Sequence, residues 1–142
     1  MKYTTKVYKE SRMLELMLLD DPDTSMLFNF LVQEYGEAGF CELYKAARLI
    51  LDGEMDSYSI FLESVGIDIE PFKVVLWLDS YDGDKMAKSL SVSQLCDMLE
   101  AYRREWLKNF GTDLTVATFV YKPFIEGIIT EEDFMDWEDF EE

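Results

Sequence analysis

Apolar residues recur at helical spacing through most of this chain. In SRMLELMLL, Met13, Leu14, Met17 and Leu18 fall on one stripe, which predicts a first short helix. PDTSMLFNFLVQEYG reads as a second, with a cap at Asp23 or Thr24 and a stop at Gly36. FCELYKAARLILDG places Phe40, Leu43, Ala47, Leu49 and Ile50 ahead of another stop at Gly53, and DSYSIFLESVG repeats the form from Asp56 to Gly66. The clearest helix opens at a Ser91/Gln94 capping box. It carries Leu95, Met98, Leu99, Tyr102 and Trp106 along one face to Phe110 and the stop at Gly111.

Two stretches stay open. PFKVVLWLDS suits a buried strand by its β-branched and aromatic content, and a buried helix by Pro71 at a first helical position. DLTVATFVY has strand composition, while Asp113 is also placed to cap a helix running toward Pro123. The expected fold is therefore mainly α, a single compact multi-helix domain over residues 1–142. The alternative is α+β, with short strands near 72–78 and 114–121.

At the end of the chain, TEEDFMDWEDFEE predicts an acidic amphipathic helix over about 130–141. Thr130 is its cap, and Phe134, Trp137 and Phe140 lie on one side. Glu131, Glu132 and Asp133 suit its first turn, whereas Asp136, Glu138, Asp139, Glu141 and Glu142 oppose the helix dipole. The preceding FIEGIITEEDF, Phe124 to Phe134, resembles the helical hairpin of the short C-terminal domain known as SHOCT. That resemblance implies a Gly-Ile-Ile-Thr turn between two helices and carries no function; where the family continues with basic and leucine positions, this chain continues with acids.

Composition changes the picture more than any motif. The 142 residues are 49% hydrophobic and 15% aromatic, enough to bury a core and unlike acidic disordered chains. Thirty acids against 13 bases leave a net charge of -17. Residues 21–70 hold eleven acids and two bases, and residues 113–142 hold ten acids and one base, so two acidic blocks flank a balanced middle. A field of this sign repels nucleic acid and anionic membranes and steers the protein toward basic surfaces. Cys41 and Cys96 read as buried free thiols of a reducing compartment, and no apolar run is long enough to span a membrane, so a cytoplasmic location is expected.

Chemistry is sparse. With no histidine, the chain lacks the commonest general base and the usual Ser-His and Cys-His systems, and it has no glycine-rich phosphate loop. DSYDGD, Asp79 to Asp84, is its most metal-like stretch, but in an EF-hand register Leu78 and Ser89 would fall on ligand positions. Tyr81 and Lys85 share a spacing found in dehydrogenases, without a dinucleotide fold around them. Neither an enzyme, a metal site nor a cofactor is expected.

The acids cluster at connections: Asp20/Asp21/Asp23, Glu34/Glu37, Asp52/Glu54/Asp56, Asp68/Glu70 and Asp79/Asp82/Asp84. Capping accounts for any one cluster. In an antiparallel bundle the 20s, 50s and 79–84 clusters would share one pole and the 34–37 and 68–70 clusters the other. Carboxylates three or four apart on a helix lie about 5 to 6 Å apart, a spacing able to imitate a track of phosphates. The expected function is thus an acidic decoy that inhibits a basic nucleic-acid-binding protein, such as a nuclease or CRISPR effector. In size and charge it resembles the phage and mobile-element anti-CRISPR and anti-restriction proteins. An immunity protein against a basic nuclease toxin, or an assembly module using the terminal aromatic-acidic helix, are the alternatives. The expected contacts are Glu131, Glu132, Asp133, Phe134, Asp136, Trp137, Glu138, Asp139 and Glu141, with Asp52, Glu54, Asp56, Asp79, Asp82 and Asp84.

Overall fold

The structure, a computed structural model, describes residues 1–79 and 85–116. It is an α+β fold. Strands β1 (Tyr3–Tyr8) and β2 (Met13–Leu18) form a hairpin, helix α1 spans Pro22–Leu51, and β3 (Tyr58–Phe61), β4 (Val65–Glu70), β5 (Lys73–Asp79) and β6 (Lys85–Leu90) form an antiparallel meander. Helix α2 (Val92–Phe110) follows. The expectation of a mainly helical bundle is therefore wrong.

The first error lies at SRMLELMLL. Leu14 and Leu16 are fully buried, with Met13 and Met17 on the opposite face, so the period is two. Pairing with β1, where Thr5 faces Leu16 and Val7 faces Leu14, selects the strand. The outer edge of β2 is then closed by side chains. Asn29 of α1, itself buried, accepts from the Leu16 amide (3.0 Å) and donates to its carbonyl (2.9 Å). Ser25 Oγ accepts from the Leu18 amide (2.6 Å), and the Tyr102 hydroxyl donates to the Leu14 carbonyl (3.3 Å). Every buried side-chain polar atom among the described residues has a partner, as burial away from water demands.

Helix α1 joins two of the expected helices. Its cap is Asp21, not Asp23 or Thr24: Asp21 accepts from the Thr24 amide, and Pro22 opens the helix. Gly36 interrupts it at φ 82°, ψ 178°, a conformation open in practice only to glycine. On the first half, Phe28 packs edge-on against Tyr102; on the second, Phe40 stacks on the same ring and Tyr44 reaches Glu100. The second half therefore runs against the direction of α2.

DSYSIFLESVG is the second error, for it forms β3, a turn and the start of β4. Tyr58 and Ile60 face inward while Ser59 and Phe61 face out. Gly66 is needed for side-chain packing: a Cβ there would overlap the Trp77 indole, which crosses β4 to stack on Phe61 with centroids 6.0 Å apart. The strand expected near 72–78 is β5, and β6 had no expected counterpart. Residues 114–116 form a turn instead of a strand, and the rest of 114–121 lies outside the described residues. So do the SHOCT-like segment and the C-terminal helix expected at 130–141. Helix α2 is as read, with both capping-box hydrogen bonds and Gly111 left-handed at its end.

The buried core joins Leu14 and Leu16 of the hairpin, Leu27, Phe28, Leu31, Phe40 and Leu43 of α1, Ile67, Ile69 and Leu76 of the sheet, and Leu95 and Leu99 of α2. Among the described residues no helix is long and apolar enough to cross a membrane.

Candidate partner-binding surface

Asp21 and Asp23 stand at the start of α1 and Asp52 at its end, with Glu34, Glu37 and Glu42 between them, and the fold brings the two ends toward the start of α2. Asp21 and Thr24 line one surface depression with Gln94 and Asp97. Asp52, at the other end of α1, acts with Asp97 on the Cys96 thiol, which burial above all pushes up. The β3–β4 register, with Tyr58 opposite Ile69, brings the connection after α1 to the Glu70 end of the sheet. The expected bundle poles are thus half corrected. The 20s and 50s clusters share an end, but 68–70 joins them and Asp79 does not.

Asp79 sits at the far end of β5, opposite Lys85. Five residues separate it from Val74, roughly 17 Å along a strand. Asp82 and Asp84 lie outside the described residues, as do Glu131, Glu132, Asp133, Phe134, Asp136, Trp137, Glu138, Asp139 and Glu141.

The acids at this end differ in what holds them. Asp21 is structural, with Thr24 donating from its amide (3.2 Å) and hydroxyl (2.6 Å), and the hydroxyl bond leads in holding its carboxyl below the ordinary range. Asp23 pairs with Lys88 at 3.8 Å. Asp52, Glu54, Asp56 and Asp97 enter no ion pair within 4.0 Å among the described residues. The backbone that carries Asp52 and Glu54 is nevertheless fixed. The Asp52 amide donates to Arg48 (2.9 Å), Gly53 to Ile50 (3.1 Å) and Glu54 to Leu49 (2.8 Å), with Gly53 at φ 78°. Acids at a helix C-terminus face the negative end of its dipole, an arrangement that costs stability.

The opposite end is built from partnered charges. Arg103 grips Asp113 through two parallel hydrogen bonds of 3.0 Å, and its third nitrogen donates to the Tyr44 hydroxyl (3.2 Å), which donates to Glu100 (2.6 Å). The guanidinium is the main cause that holds the Asp113 carboxyl well below the usual carboxylate range. Arg12, in the β1–β2 turn at φ 53°, lies over Trp106 and Phe110 and donates to Thr112 (3.1 Å). Beside it a cleft of about 410 Å³ opens at the α1 kink, lined by Val32, Phe40, Tyr102, Trp106 and Leu114.

Reactive groups are few among the described residues. Burial leads in raising the Cys41 and Cys96 thiols, which keeps them protonated and poor nucleophiles. Tyr35, Tyr58 and Glu42 form a hydrogen-bonded chain (2.5 and 2.8 Å), with both phenols pushed up chiefly by burial. No three His, Cys, Asp or Glu side chains among the described residues are placed to hold a metal ion. Sequence reasoning missed Asp97 and Arg103. The first has no local signal, and the second was legible only as one charge among the balanced middle. Comparison with protein-family models, with curated proteins and with solved structures gives no match.

Proposed function

We propose that this protein is a non-enzymatic, acidic inhibitor that binds the basic nucleic-acid groove of a nucleic-acid-handling protein, and that it acts in the cytoplasm. The observation that carries this reading is the set Asp52, Glu54, Asp56 and Asp97: unpaired among the described residues and, at Asp52, set against a helix dipole. Charge held in an ordered place at a cost to the fold is charge available to a partner. The net charge of -17 supplies the long-range steering toward a basic groove.

The test is a panel of purified CRISPR effectors and basic nucleases, each assayed for DNA cleavage with the full chain added. Inhibition should compete with DNA and weaken about tenfold or more as salt rises from 50 to 300 mM, since exposed charges are screened over that range. Replacing Asp52, Glu54 and Asp56 by lysine should weaken it further. Inhibition that ignores both salt and charge reversal would sink the proposal.

A further inference from the structure

The two strands of the N-terminal hairpin treat their outer edges differently. On β2 the outward amides and carbonyls of Leu14, Leu16 and Leu18 are met by Tyr102, Asn29 and Ser25. In an antiparallel pair, a residue whose backbone points away from its neighbour strand faces one that does the same. Tyr3, Thr5 and Val7, opposite Leu18, Leu16 and Leu14, therefore turn their N–H and C=O groups to the outer edge of β1. Among the described residues no hydrogen bond reaches those groups.

The side chains beside that edge carry one sign. On the outer face of β1 stand Lys2, Thr4 and Lys6, all exposed, with no acid on the strand. Lys6 faces Glu15 across the hairpin but is in no ion pair within 4.0 Å, and its ammonium lies 5.6 Å from the Tyr8 ring. Lysines on an edge strand repel basic or apolar strands. Toward an acidic strand the same lysines attract, because opposite charges facing each other across a ladder stabilise it.

We propose that β1 is a docking edge for an extended acidic peptide of a partner protein, added antiparallel as a third strand of the hairpin. Tyr3, Thr5 and Val7 supply six main-chain hydrogen-bonding groups, the recurring basis of strand addition. Lys2 and Lys6 set the specificity. They lie four residues apart on one face, so the peptide requires carboxylates at positions i and i+4, with β-branched residues between them to continue the inner row of Tyr3, Thr5 and Val7.

The experiment measures amide hydrogen exchange by NMR in the full chain, with a capped peptide Thr-Glu-Val-Thr-Val-Glu-Thr and its lysine-for-glutamate counterpart as probes. The Tyr3, Thr5 and Val7 amides should exchange quickly in the free protein and at least tenfold more slowly with the acidic peptide, while the basic peptide leaves them unchanged. Lys2→Glu with Lys6→Glu should exchange the preference. Thr5→Pro, which removes a central donor, should abolish protection, and the lysine variants keep the test valid if that protein does not fold. Protection already present in the free chain at every concentration would assign the edge to the protein's own chain. Protection that grows with protein concentration would assign it to a second copy. Equal protection by both peptides would remove the specificity, and any of these three outcomes overturns the proposal.

Discussion

The two ends of the molecule use similar residues for opposite purposes. Around the β1–β2 turn and the second half of α2, Arg12, Arg103 and Asp113 are tied into aromatic rings, hydroxyls and one another. At the other end, Asp52, Glu54, Asp56 and Asp97 have no ionic partner among the described residues. Both ends are charged and both are structured, so charge density does not separate these two sets of residues. Pairing does, though it does not divide the ends completely: Glu10 and Glu105 are in no ion pair within 4.0 Å among the described residues, and Asp23 pairs with Lys88. A paired charge contributes to the fold, whereas an unpaired one contributes to the field outside it.

The largest effect should come from removing the platform of the partnered end. Trp106 is 4% exposed and donates from its indole to Thr112 at 3.0 Å. Trp106→Ala should cost about 3 to 5 kcal/mol in urea unfolding. A loss under about 1 kcal/mol would mean that the aromatic–arginine cluster is surface decoration.

Next comes the Arg103–Asp113 pair. Asp113→Asn should cost roughly 1.5 to 3 kcal/mol at neutral pH, the range for a hydrogen bond to a charged group. Because the folded protein depresses the Asp113 pKa below its ordinary 3.8, the stabilisation is present above that value and is lost as pH falls through the depressed one. The difference in stability between the native protein and Asp113→Asn should therefore shrink on acidification from about pH 5. A constant difference would remove the pair from the account.

The smallest effect has the opposite sign. Asp52→Asn removes a charge that opposes the α1 dipole and repels its neighbours, so it should stabilise the protein by about 0.3 to 1 kcal/mol at low salt, less at high salt. Destabilisation would show that Asp52 is partnered after all, and the two ends would no longer differ.

The hairpin and the β3–β4 pair show why reading the sequence stopped short. Met13, Leu14, Met17 and Leu18 satisfy a helical stripe, while Leu14, Leu16 and Leu18 satisfy a strand; six residues are too few for either period to prevail. What decides is β1, which offers Thr5 and Val7 as partners, and Asn29, which closes the far edge. The same holds for Tyr58 and Ile60, inward only because β4 lies beside them. Helix α2 needed no such help, since nineteen residues with a capping box and a glycine stop state their period and both ends locally.

The acids divide along the same line. That the chain is acidic beyond what a fold requires, that it has no imidazole chemistry, and where its long helix α2 begins and ends are properties of residue type and near-neighbour spacing, which the linear chain displays in full. That Asp52 and Asp97 both act on the Cys96 thiol while Asp79 is carried to the far end of β5, and that β2 is closed while β1 presents its edge, depend on pairings between residues far apart in sequence. Such pairings are settled by burying Leu14, Leu16, Ile67 and Leu76 in one core, a free energy belonging to the assembled chain and to no segment of it.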